Sequence, residues 1–302
     1  MQTTPPEVGF LGVPVETDLE ALVADVAILG VPHGWPYPRP GATAGCAIAP
    51  AAVRRRAARL ARFRDHWDFD LDGPMLPAEA GPRLVDAGDV PGRAEDGPGN
   101  SARTTAAVAA ILDRGAVPLC IGGDDSVPIP ILRAYEGRGA LTVLQVDAHL
   151  DFRDEVDGVR EGYSSPMRRA SEMEHVERII HVGLRGVGSA RAADVDDSRA
   201  AGNLLVTARE LRQRGVAWLV EQMAVDASVF VSFDCDGLDP SVFPAVSAPA
   251  PGGLSYFEAF DLLAGIGPRL VGAVFTEYTP EVDLNEISAL TVGRMVTRLA
   301  AV

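Results

Sequence analysis

Leu141-Thr142-Val143-Leu144-Gln145-Val146-Asp147-Ala148-His149-Leu150-Asp151 runs from a mainly apolar stretch straight into a string of ionisable side chains. The apolar part has the length and β-branched character of a strand buried on both faces, as in a parallel sheet. Two other stretches are built the same way. Val117 to Ile121 leads into Gly122-Gly123-Asp124-Asp125-Ser126, and Val229 to Phe233 leads into Asp234-Cys235-Asp236-Gly237-Leu238-Asp239-Pro240. Parallel strands point their C-termini to one edge, and open α/β sheets place ligands there. Three strands ending on carboxylates therefore predict one acidic edge.

Working outward, further short apolar runs predict strands at Val23 to Gly30, Leu84 to Ala87, Ile179 to Gly183, Leu204 to Thr207 and Val271 to Thr276. Between them lie segments of helical period: Pro50 to Arg62, Ser101 to Asp113, Pro128 to Tyr135, Ala190 to Ala200, Ala208 to Arg214, Ala217 to Met223, Tyr256 to Leu263 and Glu286 to Leu299. Pro50 suits a first helical turn and Ser255 an N-cap. Strands alternating with helices predict an α/β fold, a three-layer α/β/α sandwich with a mainly parallel sheet. Residues 88–100, rich in Gly, Pro and charge, read as a surface excursion within one domain spanning residues 1–302, not as a linker.

Composition narrows the function. Forty-two acidic residues against 27 basic ones give a net charge of −15, which argues against a nucleic-acid binder or an anionic-membrane binder. The acidity suits a soluble surface and is compatible with a cationic substrate. The chain has no lysine, so chemistry needing a lysine amine, such as a Schiff base or a phosphate-loop lysine, is excluded. Cys46, Cys120 and Cys235 are far apart and form no CxxC pair, which supports neither a zinc finger nor a disulfide framework. With no secretory leader and no long apolar stretch, a soluble cytoplasmic protein is expected.

Carboxylates from three strand ends repel one another unless a cation neutralises them. Extended residues alternate faces, so Asp147, His149 and Asp151 are expected to project together, as are Asp234 and Asp236. Carboxylates with one imidazole and no thiolate favour a hard ion such as Mn²⁺ over zinc. The donors outnumber what one hydrated ion needs, so two ions, about 3.5–4 Å apart, fit better. A lone DxD at a strand end is usually a turn or cap, and a lone GGDxS a Gly-rich turn; three such ends in series are harder to explain that way.

Together these segments resemble the arginase/agmatinase ureohydrolases, agmatinase-like branch. The likeness also takes in Gly30-Val31-Pro32 with Arg39-Pro40-Gly41-Ala42, Asp86-Ala87-Gly88-Asp89-Val90 and Val182-Gly183-Leu184-Arg185. It continues through Pro249-Ala250-Pro251-Gly252-Gly253-Leu254 and Phe275-Thr276-Glu277-Tyr278-Thr279-Pro280, with Asp283 and Ser288-Ala289-Leu290 after it. The resemblance implies two Mn²⁺ per chain, bridged by Asp147 and Asp234, with Asp125 and Asp151 on the first ion and His149 and Asp236 on the second. It implies hydrolysis of a guanidino C–N bond, releasing urea and an amine. Asp151 would pass a proton to the departing amine and Glu277 would hold the guanidinium. It also implies a trimer or hexamer of identical chains.

Two positions depart from the family pattern. Asp125 stands where a histidine ligand is usual, and the added negative charge should weaken the ion's pull on water. In Tyr163-Ser164-Ser165-Pro166-Met167-Arg168-Arg169-Ala170, Ser165 replaces a histidine and Pro166 a glycine; serine cannot titrate near neutrality, and proline should stiffen the loop. Ser165 is expected to touch substrate, and His33, in the loop with Trp35-Pro36-Tyr37-Pro38, is a candidate for substrate contact and for the missing proton shuttle. The alternatives are a slow or non-catalytic metal-binding paralogue and a formimidoyl-type amidine hydrolase, the latter from Val246-Ser247-Ala248-Pro249. Arginases carry a Ser-Gly-Asn run after the strand-end aspartates for an α-amino acid head. Phe152 to Gly162 lacks it, favouring an agmatine-like or guanidino-acid substrate. His66, His175, His181 and Cys235 read as structural, and Asp124 and Asp239 as turn or supporting carboxylates.

Overall fold

The computed structural model describes residues 1–38, 44–76 and 81–301; Arg39-Pro40-Gly41-Ala42 of the expected opening loop lie outside the described residues. All eight expected strands form: β1 (Val26–Val31), β2 (Leu84–Asp89), β3 (Val117–Gly122), β4 (Leu141–Val146), β5 (Val176–Leu184), β6 (Leu204–Thr207), β7 (Ser228–Asp234) and β8 (Leu270–Thr276). They hydrogen-bond in the order β2-β1-β3-β8-β7-β4-β5-β6, with every pairing parallel. The carboxylate-ended strands β3, β7 and β4 sit at the centre with β8 between the first two, and their C-termini share one edge.

The strands are apolar on both faces because both faces are covered. Ile28, Leu144, Val231 and Phe275 point into one apolar cluster, and Ala27, Leu29, Val143 and Phe230 into another. The first cluster takes residues from helices α1 (Ala49–Ala58), α8 (Tyr256–Ile266) and α9 (Ile287–Ala300). The second takes residues from α2 (Gly97–Asp113), α3 (Pro128–Arg133) and α4 (Pro166–Ser171). Helices α5 (Ala192–Ala200), α6 (Ala208–Arg214) and α7 (Val216–Glu221) complete the layers flanking the sheet. This is the three-layer α/β/α arrangement that the sequence pattern predicts.

Local chemistry explains where the boundaries moved. Helix α2 begins at Gly97, four residues before the expected start, because the Asp96 carboxylate accepts the Gly99 N–H at 3.0 Å and Pro98 occupies the first turn. Pro166 does not merely stiffen a loop: it opens α4, a short helix that the sequence reading left out. Ser255 caps α8 as expected, its hydroxyl accepting the Glu258 N–H at 3.2 Å while the Glu258 carboxylate accepts the Ser255 N–H at 2.8 Å. The expected elements do not include a short antiparallel hairpin of Trp67–Asp68 with Gly73–Pro74, which Arg294 of α9 holds through Asp68 and Asp70.

Beside β2, the buried Arg54 of α1 donates to both Asp86 oxygens at 2.9 Å and to the Gly88 carbonyl at 3.0 Å, and also pairs with Asp89. The Asp86-Ala87-Gly88-Asp89 signature thus serves as an ion cluster that ties α1 to the sheet. Among the described residues, no helix is long and apolar enough to cross a membrane.

Candidate metal centre

Four neighbouring strand ends supply the site. Asp125 follows β3, Glu277 follows β8, Asp234 closes β7 with Asp236 in the single turn after it, and Asp147, His149 and Asp151 follow β4. The ends come this close only because small residues line the crossings. A Cβ on Gly123 would sit 2.5 Å from the Pro32 carbonyl, and one on Gly237 would sit 2.8 Å from the Asp147 nitrogen. Two of these residues hold left-handed backbone, Asp151 at φ 45° and Glu277 at φ 62°. Such strain persists where the surrounding structure imposes it, and it clusters at functional sites.

The expected residues do meet, but not by strand alternation. The chain leaves extended geometry after β4 and β7, and tight turns aim the side chains instead. The His149 N–H donates to Asp147 Oδ1 at 2.5 Å, and the Asp236 N–H donates to Asp234 Oδ1 at 2.8 Å. Two groups result, each with one donor atom per residue and all of these within 4.8 Å of one another: Asp125, Asp147, Asp151 and Asp234 in one, Asp147, His149 and Asp236 in the other. Asp147 belongs to both. Asp234 falls only in the first, so its expected sharing has less geometric support than that of Asp147.

Hydrogen bonds from the surrounding strands hold each group. Asp147 Oδ2 accepts from Gln145 Nε2 at 2.6 Å, Asp236 Oδ1 from the Ala148 N–H at 3.0 Å, and Asp125 Oδ1 from the Thr276 hydroxyl at 2.6 Å. His149 Nδ1 lies 3.0 Å from Asp236 Oδ2. Arg185 straps the Asp236 turn from behind, donating to the carbonyls of Asp236 at 2.6 Å, Gly237 at 3.2 Å and Leu238 at 3.1 Å. The structure thereby gives work to Gln145, Thr276 and Arg185. Gln145 left a trace in the sequence, as a polar residue inside an apolar strand two positions before Asp147.

Burial dominates the electrostatics. It pushes the carboxyls of Asp125, Asp147 and Asp234 well above the usual range, and neighbouring carboxylates push the same way: Asp151 on the first two, Asp236 on Asp234. Burial raises Asp151 to about 7, with His149 opposing, and Glu277 to about 8, with Asp124 adding to it. The hydrogen bond to Asp236 raises the His149 imidazole. A bound cation would compensate buried carboxylates so crowded. Among the described residues Asp125 Oδ2 is also buried with no hydrogen-bond partner, and a bound cation would satisfy it. The donor set is oxygen-rich with one imidazole, which suits a hard divalent ion.

A cavity of ≈ 300 Å³ opens onto both groups, with Tyr163, Ser164, Ser189, Val246 and Ser247 among its other lining residues. Glu277 lines it too. Its Oε1 accepts the Asp125 N–H at 2.9 Å, and its Oε2 accepts the Ser247 hydroxyl at 3.3 Å, with Cys46 Sγ at 3.8 Å. His33 and Ser165 are not among the lining residues. His33 is half-buried against Gly92, and Ser165 is fully buried at the start of α4. Tyr163 and Ser164, which precede Ser165 in the chain, take the wall instead. Asp239 is a turn carboxylate that accepts the N–H groups of Ser241, Gly252 and Gly253, and Cys235 packs in the core, both as expected.

The model of the arginase family matches residues 24–301. The mitochondrial agmatinase of Gallus gallus is 30% identical over 301 residues, covering 97% of this chain and 84% of its own length. Among solved structures, Trypanosoma cruzi formiminoglutamase with Mn²⁺ is similar at TM-score 0.82 and 28% identity over 97% of each chain. The proclavaminate amidino hydrolase of Streptomyces clavuligerus is similar at TM-score 0.81 and 26% identity, over 99% of this chain and 97% of its own. The family's profile spans the sheet, its acidic edge and the helices on both faces, and the chain belongs to the arginase family.

Proposed function

We propose that this protein is a binuclear manganese amidinohydrolase that cleaves a guanidino C–N bond, releasing urea and an amine from an agmatine-like or guanidino-acid substrate. One observation carries the reading: two donor groups share Asp147 and open, together with Glu277, onto a single cavity. In this reading Asp125, Asp147, Asp151 and Asp234 would hold one Mn²⁺, and Asp147, His149 and Asp236 the other. Bound ions of this kind supply Lewis acidity that brings water within reach of neutral-pH hydrolysis. The likeness to a Mn²⁺-containing structure supports the choice of metal.

The protein's own residues do the rest. Glu277 receives the cationic guanidinium through charge-assisted hydrogen bonds, oriented by the Asp125 N–H and the Ser247 hydroxyl. A guanidinium also stabilises the ionised form of a carboxyl that burial otherwise holds near 8. Asp151, on the same cavity wall as Glu277, would hand a proton to the departing amine nitrogen. The left-handed backbone at Asp151 and Glu277 keeps both carboxyls on the same cavity. His33 and Ser165 have no part in this scheme. The protomers assemble as a trimer or hexamer in this proposal, which light scattering on the purified protein measures.

A second reading, a formimidoyl-type amidine as substrate, is favoured by Val246 and Ser247 in the cavity wall and by the likeness to a formiminoglutamase. The deciding experiment screens guanidino amines, guanidino acids and formimidoyl compounds with Mn²⁺, measuring urea and ammonia release. Urea from a guanidino compound is expected. Glu277→Gln should keep its Mn²⁺ and lose about 10²–10⁴ in kcat/KM, the value of two hydrogen bonds to a charged group. Turnover of no compound by a protein carrying both ions would establish the non-catalytic metal-binding alternative.

A further inference from the structure

Gln145 lies inside β4, between two covered faces, at 1% exposure. A polar amide so placed must be fully bonded or it destabilises the fold. Its bonds begin a chain that runs across β5 to α5, and the direction of that chain follows from its two ends. The Ile179 backbone N–H, which can only donate, gives its proton to Asn203 Oδ1 at 3.1 Å. That fixes which end of the Asn203 amide is oxygen, so its Nδ2 is the group that donates to Ser198 Oγ at 3.2 Å.

The Ser198 oxygen accepts there and keeps its own proton available for His181 Nε2, 3.3 Å away. His181, at 0% exposure, is neutral, because burial pulls its imidazole down to about 3. An Nε2 that accepts from Ser198 leaves its single proton on Nδ1, which donates to Gln145 Oε1. The Gln145 amide is thereby locked with its nitrogen, and not its oxygen, toward Asp147 Oδ2 at 2.6 Å. With Asp147 ionised, as a metal ligand is, the opposite orientation would set an amide oxygen against a carboxylate oxygen, and this decides the direction of the whole chain. The other oxygen of Asp147 takes the His149 N–H. One donor on each oxygen fixes the plane of the one carboxylate common to both donor groups.

We infer that Gln145, His181 and Ser198 form a directional hydrogen-bond relay that positions Asp147 as the shared metal ligand; this rests on the manganese reading above. None of the three touches the cavity, so they are positioning residues. Supporting contacts of this kind typically change metal affinity by about 10–100-fold when removed.

The test is calorimetric titration of EDTA-stripped full-length protein with MnCl₂, alongside thermal unfolding of each variant in EDTA. Gln145→Met should weaken Mn²⁺ binding by about 10–100-fold, and His181→Phe should weaken it in the same direction. Because both act through one contact, the double variant should bind no more weakly than Gln145→Met alone. A purely packing role would lower the unfolding temperature in EDTA and leave the Mn²⁺ dissociation constant within about twofold, and that result would overturn the relay. So would strictly additive losses. Should the core variants not fold, Ser198→Ala at the far end decides. It frees the His181 tautomer and should weaken Mn²⁺ binding by several-fold, and an unchanged constant would overturn the proposal. A wild-type protein that bound no Mn²⁺ would instead remove the metal reading itself, and the relay with it.

Discussion

Stripping divalent ions with EDTA should make the stability of this protein fall as pH rises from about 5.5 to about 8. The reason lies in the buried carboxyls. Burial holds Asp151 near 7 and Glu277 near 8, against ordinary values of 3.8 and 4.5. Both titrate higher in the folded protein than in the unfolded chain. Their contribution is therefore complete below the unfolded values and is lost as pH rises through the folded ones. Across this window the unfolded chain is already deprotonated while the folded one gives up its protons near 7 and 8. At about 1.4 kcal/mol per unit, Asp151 contributes a loss of about 2 kcal/mol and Glu277 about 3 kcal/mol.

Asp125, Asp147 and Asp234, raised in the same direction, add to the loss. His181 works the other way. Its folded value near 3 lies below the ordinary 6.5, so its contribution is full above 6.5 and is lost as pH falls. Within this window it offsets at most about 1.4 kcal/mol, below 6.5. At roughly 2 °C per kcal/mol for a chain of this size, the stripped protein should melt about 10 °C lower at the alkaline end. Adding MnCl₂ should reverse the trend, since each site at a hundredfold excess over its dissociation constant contributes about 2.7 kcal/mol. Circular dichroism melts in EDTA and in MnCl₂ at both pH values measure this. A stripped protein at least as stable at pH 8 as at 5.5, or one indifferent to Mn²⁺, would refute the reasoning.

Two further outcomes are expected. Asp125→His should keep both ions by elemental analysis and shift the pH–rate profile toward neutrality by about one unit, because one anion beside the first ion is removed; unchanged metal content and profile together would show that Asp125 holds no ion. Arg54→Leu leaves Asp86 buried without its cation and should cost about 3–5 kcal/mol in urea unfolding, while the Mn²⁺ dissociation constant of the folded protein stays the same. A loss below about 1 kcal/mol would show that the Phe10 and Gly88 N–H groups suffice for Asp86.

Much of the candidate site was legible because strand ends are local events. An apolar run that stops on aspartates announces both the strand and the edge, and Asp125, Asp147, His149, Asp151, Asp234, Asp236 and Glu277 all reach that edge. The residues that alternation groups do gather at one edge, but turn hydrogen bonds and a left-handed Asp151, not alternation, aim the side chains once the strands have ended. Ser165 is a candidate by analogy of position and His33 by its place in the first loop. Their burial depends on how α4 and the first loop pack, which no short stretch of sequence states.

The amino-acid sequence by itself determined the α/β class, the eight strands, the acidic edge and the exclusion of lysine chemistry, because hydrophobic period and residue identity are written residue by residue. Only the tertiary structure decided that β8 lies between β3 and β7, bringing Glu277 to the carboxylates. It alone revealed that Asp147 is common to both groups and that Gln145 is held by a histidine 36 positions away. The physical reason is that a strand pattern specifies what must be buried but not beside which partner, and hydrogen bonds between distant strands exist only once the sheet has chosen its order.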